Sequence, residues 1–421
     1  MIRLATARSA LRSERVEIRA RKQAASRRST NRTRGRSTAG RRATPARVAV
    51  KGRAARRRAV VRNEAAYLVL IPTVALLLLG LVMVFSAGSV VGMNVSGSGY
   101  HFFIQQAIWA VLGLALMILF AKLDYHKLGK ASWVGVLISI GLLTFVLFTG
   151  RAAGGARRWL MIGPYSLQPT EIAKFTMVVF ASYALAMKGE KVRKFAQLLV
   201  PVLLLAVLEA GLILMQPDLG SALVLCFSVG LVLILSKSRV GHLVAVGAAG
   251  GMGALYFMLS APYRRARFFS FLNPWSSPRG SGYQVIQSYI ALGSGHIKGL
   301  GLGMSRQKFL YLPNAHTDFI FAVIGEELGM AGTLMVVFLV ALLAIGGLTI
   351  ARRAPDAMGR LLAAGITGLI VIQALVNMGG VTGLLPITGV PLPLVSFGGS
   401  SLCVCMGCIG ILLNIAAQGS R

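Results

Sequence analysis

One short run of residues carries more chemistry than any other part of this chain. The run Asn314–Gly329, NAHTDFIFAVIGEELG, places His316, Asp318, Glu326 and Glu327 where a long apolar helix is predicted to begin. The whole chain of 421 residues has only 12 Asp and Glu. Charge at a membrane helix is costly, and an acid retained there usually has a function. We therefore take Asp318 as the first candidate for a catalytic carboxylate.

Two further predicted helices begin in a similar way. The segments 168–171 (QPTE) and 216–220 (QPDLG) each combine a proline with an acid in the first turn. Proline fits the first helical position and an acid there complements the positive helix end, so capping is a sufficient structural explanation. Glu171 and Lys174 lie three residues apart on one helix face and are expected to pair. The alternative is that both helix starts line a common site with Asp318.

Basic residues are concentrated in two segments that the predicted topology places outside the membrane. The segment 151–168 contains Arg157 and Arg158, and the segment 261–318 contains seven Lys and Arg, including Lys308. Long loops in compact domains are usually functional or disordered. A basic surface with interspersed aromatic residues suits an anionic, lipid-linked ligand. Anchoring to lipid headgroups is the alternative.

The composition is that of an integral membrane protein. Hydrophobic residues make up 55% of the chain, charged residues 14%, and the mean hydropathy is +0.70. Apolar runs of about 18 residues or more can cross a bilayer core of about 30 Å. The sequence predicts an all-α protein with ten transmembrane helices, at residues 67–91, 101–121, 132–149, 169–187, 196–215, 217–236, 240–260, 319–350, 360–385 and 395–417. The segment 261–318 is then a long external loop between the seventh and eighth helices.

Basic residues orient these predicted helices. Lys and Arg favour the cytoplasmic side, and an Arg-rich region precedes the first helix. Alternation then places the loops 122–130, 188–194, 237–242 and 351–360 inside, and all four are basic. An even number of helices puts both termini in the cytoplasm.

Residues 1–62 form a separate region with 21 Lys and Arg against 2 acids. Such a segment buries too little apolar surface to offset its ordering entropy, so we predict a disordered, strongly basic cytoplasmic tail. Contact with anionic lipid headgroups is its expected role. Nucleic-acid or partner binding and an organelle transit peptide are the alternatives. Residues 63–421 form the predicted polytopic membrane domain.

Four motifs in the membrane domain resemble one known family. They are GARRWLMIGPYSLQPTEIAK (155–174), MQPDLGS (215–221), NAHTDFIFAVIGEELG (314–329) and GVPLPLVSFGGSS (389–401). In this order, they resemble the SEDS proteins (shape, elongation, division and sporulation) over about residues 67–417. The early stretch LVMVFSA (81–87) is more similar to the division member FtsW, and the later LPITGVP (385–391) to the elongation member RodA. The FtsW type is favoured.

The resemblance implies a peptidoglycan glycosyltransferase that polymerises lipid II at the outer face of the bacterial cytoplasmic membrane, at the division septum. The second substrate would be a glycan strand linked to undecaprenyl diphosphate. The expected partners are a class B penicillin-binding protein, which is a transpeptidase, and other divisome proteins; nucleic acid is not expected. A lipid II flippase or transporter, an elongation polymerase of the RodA type and a scaffold are the alternatives.

The resemblance also assigns chemical roles. The aspartate of the family's His-Thr-Asp motif, here Asp318, is implicated in catalysis, and a partly buried carboxylate can act as the base for a sugar hydroxyl. A diphosphate leaving group needs positive charge rather than a strong acid. Arg157, Arg158 and Lys308, or a bound Mg²⁺ or Mn²⁺, would supply that charge. Asp318 is the candidate ligand for such an ion, and no dedicated metal site is assigned.

Other polar residues near these motifs are assigned to substrate binding by position. Those of the fourth and sixth helices are expected to form the cavity wall: Glu171, Lys174, Gln216 and Asp218. His316 is expected to orient Asp318 or to cap its helix. Ser396 and Ser400 are candidates for substrate contact, with packing at a helix start as the alternative.

Overall fold

The computed structural model describes residues 45–153, 156–163, 165–260 and 262–419 of the chain. The chain divides into two units, Met1–Arg58 and Ala59–Arg421. Of the first unit, only the residues from Pro45 onward are described, and they are helical. The prediction of disorder for residues 1–62 therefore lies largely outside the described residues, and its described part, 45–62, is helical.

The described residues form α-helices with three short strands. In chain order the helices are α1 (Pro45–Ser96), α2 (His101–Lys122), α3 (Tyr125–Thr149), α4 (Pro169–Lys188), α5 (Phe195–Leu198), α6 (Leu204–Met215), α7 (Leu219–Leu235), α8 (Val240–Leu259), α9 (Pro262–Leu272), α10 (Tyr283–Ser294), α11 (Ile320–Arg353), α12 (Ala357–Val381) and α13 (Gly399–Gln418). The strands are β1 (Arg151–Ala153), β2 (Ala156–Ile162) and β3 (Tyr165–Leu167).

Eight helices in the described part of the chain are long and apolar enough to cross a membrane. They include Glu64–Ser96 of α1 and coincide with eight of the ten predicted spans. The fifth and sixth predicted spans correspond to shorter apolar helices, Pro201–Met215 and Leu219–Leu235. The all-α, multi-pass membrane fold predicted from composition and apolar run length is thus confirmed.

The fifth predicted span is interrupted for a local reason. A π-helical turn at Leu199–Leu203 connects α5 to α6, so the backbone stays helical from Phe195 to Met215. Pro201 lies in this turn, and proline lacks the amide that an α-helix needs there. The complete helical run therefore covers the predicted span 196–215.

Helices α12 and α13 form the centre of the bundle. In their most apolar windows 83% of α12 and 78% of α13 residues are buried, compared with none in α8. Helix α13 packs along α2, and α12 packs against α4, α7 and α11. Small residues allow these close approaches: a Cβ added to Gly410 would collide with the backbone of Met117. Residues on α12 are therefore well placed to connect several elements.

Helix α11 is broken at Gly329. This residue has φ 69° and ψ −162°, a conformation essentially restricted to glycine. The break separates a short, almost fully buried half-helix, Ile320–Leu328, from the longer part, Met330–Arg353. At about 1.5 Å per residue the longer part spans about 36 Å, enough to cross a bilayer alone. The predicted span 319–350 is therefore a crossing helix preceded by a buried half-helix.

The segment between α3 and α4 forms a small antiparallel sheet in the order β1-β2-β3. The sequence predicted only an external, cation-rich segment here, at 151–168, and no strands. Arg157 and Arg158 lie on β2, the middle strand. The sheet therefore fixes the position of two predicted ligand-binding cations.

The predicted loop 261–318 is ordered over much of its length and contains α9 and α10. Helix α10 buries one face, including Ile286 and Ala291, and packs against α11 and α12. The Ser288 hydroxyl donates to the Val381 carbonyl oxygen at the end of α12, at 3.0 Å. The rest of the loop, from residue 295, leads directly to Asp318.

Candidate active site

Asp318 lies one residue before Phe319, the N-cap of the half-helix. It lines a small pocket with residues from α12 and from the loop that follows α12: Phe319, Val376, Asn377, Gly380, Val381, Ile387, Thr388, Gly389 and Val390. The carboxylate packs against Gly389, where an added Cβ would lie 3.5 Å from Asp318 Oδ2. Asp318 itself is half-buried. A partly exposed acid in a largely apolar pocket is typical of a ligand-binding site.

Asn377 ties Asp318 to the wall of this pocket. Its side-chain nitrogen donates to the backbone oxygens of Asp318 and Val390, at 2.8 Å in both cases. These two acceptors fix the orientation of the amide. Its Oδ1 is buried and has no hydrogen-bond partner among the described residues. An unpaired buried acceptor is unfavourable, so Oδ1 is suited to accept a hydrogen bond from a ligand.

The loop between α12 and α13 holds the backbone that precedes Asp318. The Ser396 hydroxyl donates to the backbone oxygen of Thr317 at 2.6 Å and accepts from the amide of Leu392 at 2.8 Å. The amide of Phe397 donates to the backbone oxygen of His316 at 3.0 Å. Ser396 therefore has a clear structural role, and its contact with substrate stays a prediction.

The His316 ring packs against two aromatic rings. Its centroid lies 4.5 Å from that of Phe102 and 5.7 Å from that of Phe397. Its Nδ1 is buried without a hydrogen-bond partner in the described part of the chain. Burial lowers the pKa of His316 to about 4, so the ring is neutral at pH 7. His316 therefore supports the site by packing and brings no positive charge to it.

Glu171 and Lys174 form the predicted i,i+3 pair. Lys174 Nζ lies 2.8 Å from Glu171 Oε1 and donates to Gln373 Oε1, also at 2.8 Å. Both charged side chains are buried. Gln373 in turn donates to the backbone oxygen of Pro391 at 3.2 Å. The pair thus connects α4 to α12 and to the loop that lines the pocket.

Arg158 connects the small sheet to the turn before α7. Its Nε donates to the backbone oxygen of Gln216 at 3.0 Å, and its Nη2 donates to the next carbonyl oxygen. The Gln216 side chain donates to the Leu143 carbonyl oxygen at 3.2 Å. Arg157 is exposed and donates to the Phe148 carbonyl oxygen at 3.3 Å. Each arginine carries five N–H groups, so these bonds leave donors available for a ligand.

Asp218 caps α7. Its carboxylate accepts hydrogen bonds from the amide and the hydroxyl of Ser221, at 3.0 and 2.9 Å. The capping explanation therefore accounts for its observed contacts. The start of α7 nevertheless meets the pocket wall, because a Cβ added to Gly220 would lie 2.6 Å from Thr388 Cβ.

Lys308 is placed differently from the sequence-based expectation. Its side chain is only 5% exposed, and its Nζ lies 3.3 Å from Glu327 Oε1. It also donates to the backbone oxygen of Gly303 at 2.5 Å. The predicted role of Lys308 in binding a diphosphate conflicts with this burial. A buried ammonium group whose charge is balanced by Glu327 attracts an anionic ligand only weakly.

Most of the predicted site residues fall into two clusters. Those joined to the pocket by the contacts above are Asp318, His316, Ser396, Glu171 and Lys174. Those at the turn before α7 are Arg158, Gln216 and Asp218, while Arg157 lies beside Arg158 on β2 and contacts the end of α3. Ser400 connects the start of α4 to α13, because its hydroxyl accepts from the amide of Gln168 at 3.1 Å. Asn377 and Gln373 were missed, although two amides in one apolar helix are a usable signal.

The pocket offers few ligands to a metal ion. Among the described residues there is no group of three or more His, Cys, Asp and Glu arranged to hold one. Among the residues that line the pocket, Asp318 provides the only carboxylate. Mg²⁺ is usually held by one or two carboxylates together with substrate phosphates. The residues therefore fit an ion carried by the diphosphate of a substrate rather than a preformed metal site.

Comparison with known proteins gives a consistent result. Residues 67–421 match the model of the cell cycle protein family of FtsW, RodA and SpoVE. The probable peptidoglycan glycosyltransferase FtsW of Geobacter metallireducens is 41% identical over 354 residues, which cover 83% of this chain and 94% of that protein. Stage V sporulation protein E of Bacillus subtilis is 39% identical over 351 residues, which cover 83% and 96%.

Solved structures share the fold. A chain of a peptidoglycan synthase complex that coordinates polymerization and crosslinking aligns with a TM-score of 0.65 at 29% identity, over 80% of this chain and 96% of that chain. The rod shape determining protein RodA of Thermus thermophilus aligns with a TM-score of 0.62 at 27% identity, over 84% and 97%. The family resemblance of the four motifs is thereby confirmed. This chain belongs to the SEDS family, the family of FtsW, RodA and SpoVE.

Proposed function

We propose that this protein is a peptidoglycan glycosyltransferase that polymerises lipid II into glycan strands, with Asp318 as the catalytic base. The observation that carries this proposal is the pocket of Asp318, a half-buried carboxylate whose backbone is fixed by Asn377. The names of the relatives support the reaction class. The multi-pass helical bundle is suited to a substrate that is itself anchored in the membrane.

The proposed reaction is a single glycosyl transfer. Asp318 takes the proton of the GlcNAc 4-hydroxyl of lipid II while that oxygen bonds to the anomeric carbon of the growing strand. The bond between this carbon and the polyprenyl diphosphate breaks, and the diphosphate leaves with the electron pair. Such a leaving group needs no general acid, so one carboxylate suffices where glycosidases use two. We assign Asn377, whose Oδ1 has no hydrogen-bond partner among the described residues, to the wall of this site.

Positive charge is needed where the diphosphate leaves. We assign this role to Arg157 and Arg158, whose guanidinium groups can bind phosphate oxygens in pairs. A bound Mg²⁺ or Mn²⁺, held by Asp318 and the diphosphate, would supply further charge. Lys308 is left out of this set because Glu327 already pairs with it.

The proposed setting is the division septum. Asp318 would lie at the outer face of the cytoplasmic membrane, with both termini in the cytoplasm. A transpeptidase of class B is the proposed partner, and a relative found in a complex for polymerization and crosslinking supports it. A division role of the FtsW type is favoured by the relatives of that name, while the similarity to a sporulation protein keeps sporulation as an alternative.

The test is polymerisation of lipid II by purified protein, with and without its transpeptidase, in buffers with Mg²⁺, Mn²⁺ or a chelator. We expect glycan polymer from the wild type and a loss of at least about 100-fold in Asp318→Asn. The matched control is Asp124→Asn, an acid at the opposite end of the bundle, which should retain activity. Polymer from Asp318→Asn at the wild-type rate would exclude Asp318 as the base.

A lipid II flippase is the second candidate. The broken helix α11 favours it, because helices interrupted next to a binding site are typical of secondary transporters. The discriminating measurement is translocation of fluorescent lipid II in proteoliposomes that lack polymerisation. Translocation without polymer, even with the transpeptidase present, would replace the polymerase proposal.

A further inference from the structure

The break in α11 is closed by the segment that precedes Asp318 in the chain. The amides of Leu300 and Gly301 donate to the last carbonyl groups of the half-helix, Glu326 and Glu327. The first amides of the longer part donate to the carbonyl oxygens of residues 296 and 297, and all four distances lie between 2.9 and 3.3 Å. Four of the backbone groups that a helix break leaves without partners within the helix are thus satisfied by one segment, 296–301.

Glycine makes this close approach possible. A Cβ added to Gly299 would collide with the carbonyl oxygen of Glu327, and one added to Gly329 would collide with the amide nitrogen of Gly299. Both glycines also have positive φ, at 82° and 69°, where other residues are strained. The segment 296–301 and the break therefore fit together in one arrangement.

Two buried acids fix the next part of the same segment. Glu326 accepts hydrogen bonds from the Ser305 hydroxyl at 2.5 Å and from the Arg306 amide at 2.9 Å. Glu327 Oε1 accepts from the Ser86 hydroxyl of α1 at 2.6 Å and lies 3.3 Å from Lys308 Nζ. Three separate elements meet at this carboxylate: α1, the half-helix and the segment before Asp318.

The charge pair in this cluster is fully desolvated. Glu327 is 0% exposed and Lys308 is 5% exposed, and Lys308 Nζ also donates to the Ser86 hydroxyl at 3.1 Å. Burying two charges costs about as much solvation as their attraction returns, so such pairs are poor sources of stability. Their directionality can instead select one conformation. The cluster is therefore better explained by the geometry that it enforces.

That geometry includes Asp318. At the beginning of the half-helix, Asn377 holds the carbonyl group of Asp318. At its end, Glu327 lies nine residues further along, or about 13 Å at 1.5 Å per residue. A helix of this length moves as a rigid element, so a displacement at Glu327 is transmitted to Asp318.

We propose that the cluster of Ser86, Lys308 and Glu327 is a positioning device that sets the location of the Asp318 carboxylate. Lys308 is then a positioning residue rather than a ligand for the diphosphate. The proposal rests on the proposed function, in which Asp318 is the catalytic base. It adds a specific claim: the charges act through the half-helix and touch no substrate.

A pair of variants separates positioning from stability. Lys308→Met leaves an unpaired buried carboxylate and is expected to lower both the thermal midpoint and kcat. The double variant Lys308→Met/Glu327→Leu removes both charges and should recover the thermal midpoint. Its kcat should remain at least about 10-fold below wild type, with KM changed by less than about twofold, because only the placement of the base is lost.

Hydrogen exchange gives a readout that does not depend on catalysis. We expect faster amide exchange across Ile320–Leu328 in both variants, whether or not lipid II is present. The matched control is Glu190→Gln, which breaks the exposed ion pair of Glu190 with Lys237 and should change none of these quantities. If the double variant cannot be purified, Ser86→Ala keeps both charges and should still lower kcat about three-fold or more.

Three outcomes would overturn the proposal. Recovery of wild-type kcat together with the thermal midpoint in the double variant would make the pair purely structural. An increase in KM as the main effect of Lys308→Met would return Lys308 to substrate binding. Unchanged exchange across the half-helix would exclude the coupling. If the wild-type protein has no polymerase activity, the proposed function is wrong. The positioning proposal is still tested in that case, because the hydrogen-exchange experiment does not depend on catalysis.

Discussion

At the scale of single residues, Asn377 has the most consequences for the pocket. Its amide nitrogen serves two backbone oxygens, and one of them belongs to Asp318. A general base works efficiently only when its position relative to the substrate is fixed to within about 1 Å. If Asp318 is the base, as proposed, Asn377 provides that constraint through its side-chain nitrogen, while its Oδ1 is buried without a hydrogen-bond partner among the described residues.

The replacement Asn377→Leu should therefore impair both catalysis and folding. It leaves two backbone acceptors without their donor, at a cost of about 1–3 kcal/mol each, and frees the backbone of Asp318. We expect kcat for lipid II polymerisation to fall by about 100-fold. Thr367→Val is the control, because that hydroxyl bonds only within α12, to the Ala363 carbonyl oxygen. Equal losses in both variants would contradict the special role of Asn377.

His316 gives the folded state a defined pH dependence. Burial lowers its pKa from 6.5 to about 4, so between these values the unfolded chain binds a proton that the folded chain does not. Stability should be complete above about pH 6.5 and decrease towards pH 4, by at most on the order of 3 kcal/mol. In His316→Phe, this decrease in stability between pH 6.5 and pH 4 should be absent from thermal unfolding curves recorded across the range. A pH profile identical to that of the wild type would show that folding does not shift the pKa of His316.

The contacts of some site residues could be predicted from the sequence, and those of others could not. The pairing of Glu171 with Lys174 follows from an i,i+3 spacing and is confirmed. Lys308 was assigned to the diphosphate because its contact with Ser86, 222 residues away, is invisible in the chain order. Asn377 was missed because its two acceptors are backbone oxygens on other segments. Local spacing predicts local pairs, and long-range contacts require the fold.

At the scale of elements, the break in α11 is the main departure from the prediction. The apolar pattern predicted one helix over 319–350, too long for a bilayer crossing without tilt or a protruding end. A glycine within an apolar run does not by itself indicate a break. The break is stable because the segment 296–301 supplies the missing hydrogen bonds. The strands β1–β3 were missed for a different reason: they are short and pair only with one another.

Replacing Gly329 tests the break directly. Gly329→Ala requires a side chain at φ 69° and ψ −162°, and it collides with the neighbouring segment. We expect a loss of about 2 kcal/mol or more, seen as a lower thermal midpoint, together with reduced polymerisation. Gly141→Ala is the matched control: it lies in α3 with open space around it and should be neutral or stabilising. A silent Gly329→Ala would mean that α11 is continuous.

At the scale of the whole molecule, a polar cluster at the end of the bundle opposite Asp318 joins three elements. Asp356, before α12, accepts from the Tyr125 hydroxyl at 2.7 Å and lies 3.1 Å from the His126 ring. Asp124 contacts the other nitrogen of that ring at 2.9 Å and accepts from Gln418 of α13 at 3.0 Å. The hydrogen bond from Gln418 contributes most to lowering the pKa of Asp124 to about 2.

Loss of Asp356 should therefore loosen the bundle without touching the pocket. Asp356→Ala removes the N-cap of α12, which accepts from the Gly359 amide at 3.0 Å, along with its contacts to α3. We expect a loss of about 2 kcal/mol, measured by thermal unfolding, with KM unchanged. Thr349→Val, which removes only a bond within α11, should have no effect. A larger change in KM than in thermal midpoint would connect this cluster to the substrate.

Most of the molecular architecture was accessible from the chain alone. Composition, run length and charge asymmetry predicted the spans, because the bilayer imposes strict requirements on length and polarity. Which helices lie at the centre was not predicted, since α8 and α12 are similarly apolar yet differ completely in burial. That difference depends on contacts between helices far apart in sequence, because α8 is itself rich in Gly and Ala and is nevertheless not buried.

The closure of the break in α11 by residues 296–301 also limits how the protein can be rearranged. The segment 296–301 and α11 share backbone hydrogen bonds across the Gly329 break. Gly299 and Gly329 approach so closely that neither has room for a Cβ atom. A loop transplanted from a relative must therefore bring residues 320–331 with it, or the graft will meet a foreign surface. Engineers who build chimeras in this family should place their junctions in α10 and beyond Ala331, and treat everything between as one inseparable module.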